Sequence, residues 1–125
     1  MNAKIFTTLR FVLAIMLLVF GANKFFQFLP APEGMSADAG AFFGALMSAK
    51  TMTLVAIVEI MAGLALLLNK YASLMTLILM SVSINAVLFH LTLDMANIAP
   101  AILLLILNIA MLYHYKDKYK DLFTG

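Results

Sequence analysis

The segment Thr51–Leu68 is an apolar run with one ionisable side chain, the carboxyl of Glu59, near its middle. A run of this length approaches the ~20 residues that cross a ~30 Å hydrocarbon core as a helix. A carboxyl at that depth costs about 2.5 kcal/mol or more, so it should face the protein interior and find a polar partner. We expect Glu59 to be neutral unless a cation such as Lys24 reaches it.

The composition indicates an integral membrane protein, because 65% of the 125 residues are hydrophobic and the mean hydropathy is +1.06. This apolar share is far above that of ordinary soluble domains. The sequence contains no cysteine, which excludes disulfides and thiolate chemistry. The net charge of +2 is too small to indicate a nucleic-acid partner. The hydrophobic content makes the lipid bilayer the expected surroundings.

Four apolar segments qualify as membrane spans, and their leucine, alanine and methionine content favours helices over barrel strands. The predicted spans cover about residues 7–28, 51–68, 71–91 and 98–115. Short connections join the second span to the third and the third to the fourth, which makes these helices antiparallel neighbours. Residues 1–125 are therefore predicted to form one all-α domain, an integral membrane four-helix bundle.

The longer connection between the first two spans carries the signals of a short helix. Pro30 and Pro32 favour an extended start, Ser36 can cap a helix, and Asp38 suits its first turn. Apolar side chains then recur on one side, at Ala39, Phe42, Phe43, Leu46 and Met47. We predict an amphipathic helix that lies in the outer membrane interface or caps the bundle.

Six polar residues within or near the spans are candidate ligand-binding residues: Asn23, Lys24, Glu59, Asn85, His90 and Asn108. Glu59 and Asn108 are expected near the midplane, Asn85 about one turn outward, and the other three nearer the outer surface. This distribution favours a cavity that opens outward and is closed below over a channel. Each residue also has a structural alternative, since intramembrane asparagines often bond neighbouring helices and lysine can extend to the headgroups.

Helical phase divides the polar residues of the third span into two groups on nearly opposite sides. One group is Ser81, Asn85 and Thr92, and the other is Thr76, Ser83, His90 and Asp94. Both groups cannot line one pocket. If Asn85 faces Glu59, His90 should point to a rim, another helix or a second subunit. His90 and Asp94 are also one turn apart, but two ligands make a weak metal signal.

Several blocks of sequence together resemble the DoxX family of small bacterial membrane proteins over nearly the whole chain. The blocks are Phe20-Gly21-Ala22-Asn23-Lys24-Phe25-Phe26, Phe28-Leu29-Pro30, Val58-Glu59-Ile60, Gly63 to Asn69, Asn85 and Phe89-His90. The resemblance implies a four-helix bundle in the bacterial cytoplasmic membrane. It also implies an association with redox complexes, since the family is named from a subunit of a thiosulfate:quinone oxidoreductase. Most members have no assigned activity.

The family's motif positions fall here on Asn23, Lys24, Glu59, Asn85 and His90. Many members carry an acidic residue where Asn108 stands, so the resemblance gives little support to a proton relay between paired acids. No cofactor site is evident in the sequence. The resemblance makes a quinone the candidate ligand, with electrons supplied by a partner protein of a redox complex.

Three functions remain open at this point, and the sequence leaves enzymatic activity undecided. The leading hypothesis is an outward-facing pocket for a quinone-like or other small amphipathic ligand, in a redox or stress-associated system. The second is a noncatalytic assembly or scaffold subunit of a membrane complex. The third is a small-molecule transporter, for which four spans are few unless the chain forms a homo-oligomer.

Positive charge predicts the orientation of the spans. One side carries Lys4, Arg10, Lys70, Lys116, Lys118 and Lys120, whereas the other carries Glu33, Asp38 and Asp94 against Lys24 and Lys50. Both termini should therefore be cytoplasmic. A single cysteine at Ser36 should react with an impermeant maleimide in intact cells, whereas one at Thr124 should react only after permeabilisation. Labelling of Thr124 with protection of Ser36 would reverse the orientation.

Overall fold

The computed structural model describes residues 2–29 and 34–124, and those residues form five α-helices and two 3₁₀ segments without strands. The helices are α1 (Ala3–Phe26), α2 (Ala37–Ser48), α3 (Thr51–Leu68), α4 (Ala72–Leu93) and α5 (Ala99–His114). The 3₁₀ segments are Met95–Asn97 and Lys116–Phe123. The all-helical class predicted from the sequence is confirmed for the described residues.

Three helices, α1, α3 and α4, are long and apolar enough to cross a membrane, which makes the chain a multi-pass membrane protein. Helix α5 has 16 residues, so it is about 24 Å long and shorter than a ~30 Å hydrocarbon core. It is followed by Lys116–Phe123 after a bend of 77°, and the two together would make a fourth span. The predicted span 98–115 corresponds to α5 alone.

Local signals in the sequence explain where the first two helices begin and end. The side chain of Asn2 accepts a hydrogen bond from Lys4 N at 2.8 Å, and α1 ends at Gln27 in the left-handed conformation. Helix α2 is present as predicted, with Ser36 Oγ accepting from Ala39 N at 3.1 Å. The expected extended start at Pro30 and Pro32 lies outside the described residues.

The four long apolar helices contact one another in a cycle: α1 packs against α3 and α5, and α4 also packs against α3 and α5. Helices α1 and α3 are antiparallel, since Gly21 lies beside Ala56 and Gly63 lies beside Ala14. One end of the assembly therefore holds the start of α1 and the end of α3. The end of α5 lies there too, because the ring of His114 stacks on that of Phe6, and we call this the terminal end. The opposite end, where α2 contacts α3 and α4, is the loop end.

Hydrogen bonds from side chains to backbone carbonyls join the elements at the terminal end. The guanidinium of buried Arg10 donates to the carbonyl of Leu66 in the last turn of α3, where the helix dipole favours a cation. The hydroxyl of Tyr119 donates to the carbonyl of Ser73 at 2.6 Å, which joins the 3₁₀ tail to the start of α4.

Helices α1 and α3 lie close together at two glycines. A Cβ at Gly63 would lie 2.8 Å from Leu18 Cγ and 3.1 Å from the carbonyl oxygen of Ala14. A Cβ at Gly21 would lie 2.7 Å from Ile60 Cγ1 and 3.3 Å from the Cβ of Glu59. Small residues allow this close packing between membrane helices.

Gly63→Ala should destabilise the protein by about 1–3 kcal/mol, because overpacking forces α1 and α3 apart. The matched control is Gly44→Ala in α2, where an added Cβ would meet nothing within 4 Å. The control should be neutral or stabilising, since alanine favours helix over glycine by up to ~1 kcal/mol. Thermal unfolding in detergent measures both variants, and equal effects would contradict the proposed role of the α1–α3 contact.

Candidate functional site

Lys24 and Glu59 form an ion pair between α1 and α3, with Nζ 2.6 Å from Oε1. Helical side chains tilt toward the N-terminus of their own helix. Because α1 and α3 are antiparallel, Lys24 leans from the loop end toward the middle of the assembly while Glu59 leans toward the loop end. The two side chains therefore meet, although the backbone positions of Lys24 and Glu59 lie at different heights along the helix axes.

Exposure differs between the two members of this pair. The side chain of Glu59 is 5% exposed and that of Lys24 is 20% exposed. Lys24 Nζ also lies 3.5 Å from the carbonyl oxygen of Phe20, one turn back along α1. Lys24 therefore turns inward to the carboxyl and does not extend to the headgroups. The prediction that Glu59 has a polar partner is confirmed, and Lys24 is the cation that reaches it.

Asn108 belongs to a separate polar network between α4 and α5. Its Oδ1 accepts from Ser83 Oγ at 2.5 Å, and its Nδ2 donates to the carbonyl of Thr76 at 3.0 Å. The hydroxyl of Thr76 donates in turn to the carbonyl of Ala72 at 2.6 Å. All three side chains in the network are fully buried. Asn108 thus holds two helices together and is not a partner of Glu59.

Asn85 points away from the assembly. It is exposed, and its Nδ2 donates to the carbonyl of Ser81 in its own helix at 2.7 Å. Thr76, Ser83 and Asp94 are buried and His90 is half-buried, so the opposite side of α4 faces inward. The division by helical phase is therefore confirmed, but the conditional arrangement in which Asn85 faces Glu59 is wrong.

His90 belongs to a hydrogen-bonded cluster at the loop end. Its Nδ1 lies 3.3 Å from Oδ2 of buried Asp94, whose carboxyl also accepts from Asn97 Nδ2 at 3.0 and 3.1 Å. Ser36 Oγ donates to the carbonyl of Leu93 at 2.9 Å, which ties the start of α2 to the same place. The hydrogen bonds of this cluster stabilise the turn that follows α4.

Asn23 has a structural contact as well, since its Oδ1 accepts from Leu29 N at 2.7 Å. Among the described residues, no group of three or more histidine, cysteine, aspartate or glutamate side chains could hold a metal ion. Two grooves of about 230 and 410 Å³ lie on the surface, and neither is lined by a candidate residue. The larger is lined by Val12, Met16, Phe20, Ala99, Pro100 and Leu103.

Sequence reasoning did not select Ser83, Thr76 and Asp94 as site residues, although it placed all three on one side of the third span. Their burial makes that side the interior of the assembly. Helical phase could have identified these residues, because the side of the third span that also carries His90 has four polar groups that need hydrogen-bond partners. The intramembrane position of Asn85 alone did not reveal which way its side chain points.

Comparison with protein families gives a match between the DoxX model and residues 5–92. The chain belongs to the DoxX family. This confirms the resemblance found in the sequence, although the match ends before α5 and so covers less than the nearly whole chain expected. The DoxX region contains Lys24, Glu59 and the other motif positions, whereas Asn108 lies beyond it. Neither curated proteins nor solved structures give a significant match to the chain.

Lys24→Met should destabilise the protein by up to ~3–5 kcal/mol, because Glu59 then stays buried without its cation, either as an unpaired carboxylate or after taking up a proton. The double variant Lys24→Met/Glu59→Leu should recover most of this loss, since two apolar side chains replace two charges. Unfolding in detergent of the two single variants and the double variant measures the coupling. A double variant as unstable as the sum of the single ones would show that the pair is not coupled.

Proposed function

We propose that this DoxX-family protein is a four-helix bundle in the bacterial cytoplasmic membrane, with α1, α3, α4 and α5 as its spans. Both termini are then cytoplasmic and α2 lies at the outer interface. The lysine and arginine asymmetry supports this orientation. It puts the pair of Lys24 and Glu59 in the outer half of the membrane, within reach of ligands from the outer leaflet.

The ion pair is the observation that supports a binding function best. Glu59 engages one oxygen with Lys24, and an ammonium group has three donors. Lys24 is partly exposed while Glu59 is nearly closed off, so a ligand oxygen can approach from the lysine side. A carbonyl oxygen would accept from Lys24, and its ring or tail would lie against the neighbouring apolar surface.

The ligand class that fits this chemistry is a small amphipathic molecule with a carbonyl group, such as a quinone. Exposed Phe25 and Phe26 in the last turn of α1, and Phe28 just after it, offer apolar surface at the same end of the helix as Lys24. In this proposal the protein binds and orients the ligand and carries out no electron transfer of its own. Reducing equivalents belong to a partner protein of a redox complex.

Of the six candidate residues, we propose Lys24 and Glu59 as the ligand contacts, with His90 at the rim. Asn23 and Asn108 already bond to groups of the protein, and Asn85 lies on the outer side of α4. Their contacts favour a second candidate function, a noncatalytic scaffold subunit whose polar residues only hold the helices together. A transporter has no specific contact among the described residues in its support.

Glu59→Gln separates binding from scaffold, because it keeps the size and hydrogen bonding of the side chain but removes the acid. If the pair binds a ligand, quinone retained through purification should fall roughly tenfold or more, because Lys24 loses the carboxylate that orients its ammonium toward the ligand. Lipid extraction and mass spectrometry measure the retained quinone beside thermal unfolding. The matched control is Asp38→Asn, the same change at an exposed carboxyl in α2.

The scaffold reading predicts a different pattern. Glu59→Gln and Glu59→Leu would then both lower stability, because each removes the anion that partners Lys24, without changing the amount of quinone retained. That pattern, with no quinone in the natural protein, would exclude the binding function.

A further inference from the structure

The outward side of α4 carries a heptad pattern. Ile78, Asn85 and Thr92 are spaced by seven residues, and Leu74, Ser81 and Leu88 form the second row at the same spacing. All six residues are exposed, for example Leu74 at 51% and Leu88 at 54%. Two such rows, three and four residues apart, form the seam by which two helices pack as a coiled coil.

The centre of this α4 seam is polar, in a helix long and apolar enough to span the membrane. The hydroxyls of Ser81 and Thr92 donate to carbonyls of their own helix, those of Ile78 and Leu88. The amide of Asn85 uses only one N–H in this way, to Ser81. Within the described part of the chain, its carbonyl oxygen and second N–H have no partner. A polar group left in lipid is unfavourable, so a neighbouring helix should supply one.

We propose that the α4 seam binds the α4 seam of a second copy of this chain. Two copies with the same orientation in a membrane are related by an axis along the membrane normal, so their α4 helices run parallel. A twofold interface of this kind places each seam residue opposite itself. An asparagine amide is self-complementary, because the carbonyl of each copy can accept from the N–H of the other.

The lack of charge in the seam permits pairing with a second copy. Helix α4 has no charged side chain from Ala72 to Phe89, so a twofold interface that brings each residue opposite itself meets no like-charge repulsion. A buried asparagine can fix the register of a parallel two-stranded coiled coil, and Asn85 is the seam residue with an unused amide, since Ser81 and Thr92 bond their hydroxyls within α4. The seam is also on the side of α4 opposite His90, so this contact is independent of the proposed ligand site.

Single-cysteine crosslinking tests the geometry, since the natural chain contains no cysteine. Oxidation in membranes should give disulfide dimers for Ser81→Cys and Leu88→Cys, whose positions meet across the axis. The matched control is Ile106→Cys on α5, which is as exposed as Leu88 but lies outside the seam. Equal crosslinking at the control position, or none at either seam position, would overturn the proposal.

Asn85→Leu tests the role of the amide. The dimer dissociation constant in detergent, measured by fluorescence energy transfer, should rise about 3- to 30-fold, as expected for one interhelical polar contact. Asn85→Gln should retain most of the affinity, and both variants should unfold at nearly the natural temperature because Asn85 bonds only within α4. Unchanged affinity in Asn85→Leu, or crosslinks in cells only to a different protein, would refute pairing between copies.

Discussion

A carboxyl inside a membrane helix has to be partnered, and the arrangement of α1 and α3 follows from that requirement. Glu59 meets Lys24 only because the two helices approach closely, and that approach depends on Gly21 and Gly63. A Cβ at Gly21 would lie 3.3 Å from the Cβ of Glu59, so the glycine and the charge pair occupy one location. A residue larger than glycine at position 21 would separate α1 from α3 at the point where Lys24 and Glu59 have to meet.

The other half of the molecule is held by a different kind of interaction. Helices α4 and α5 are joined by the neutral network of Asn108, Ser83 and the carbonyl of Thr76. Neutral groups cost less to bury than charges, so this contact needs no counter-ion. Because Ser83 fixes one side of α4 toward the interior, the side that carries Asn85 has to face outward. The inward network and the outward seam are therefore consequences of the same rotation of α4.

The sequence correctly predicted the features that depend on a single helix. The second predicted span coincides with α3, Ser36 caps α2, and phase separated the two sides of α4. It left open which residue would pair with Glu59, because that depends on the relative depth of helices and on the tilt of their side chains. It also extended the last span through Tyr115, whereas α5 ends at His114, before a 77° bend that apolar content does not reveal.

The polar residues of the membrane helices differ in how much bonding capacity they have left. The side chains of Ser83, Thr76 and Asn108 bond to one another or to helix carbonyls inside the protein, which leaves them little to offer a ligand. Lys24 and Asn85 keep unused donors, and Asn85 also keeps an acceptor. Unused capacity in a low-dielectric setting is unfavourable for the isolated chain, which is why we propose a ligand at Lys24 and a second copy of the chain at Asn85. The two residues lie on different helices and face different surroundings, which allows ligand binding and self-association to be varied separately.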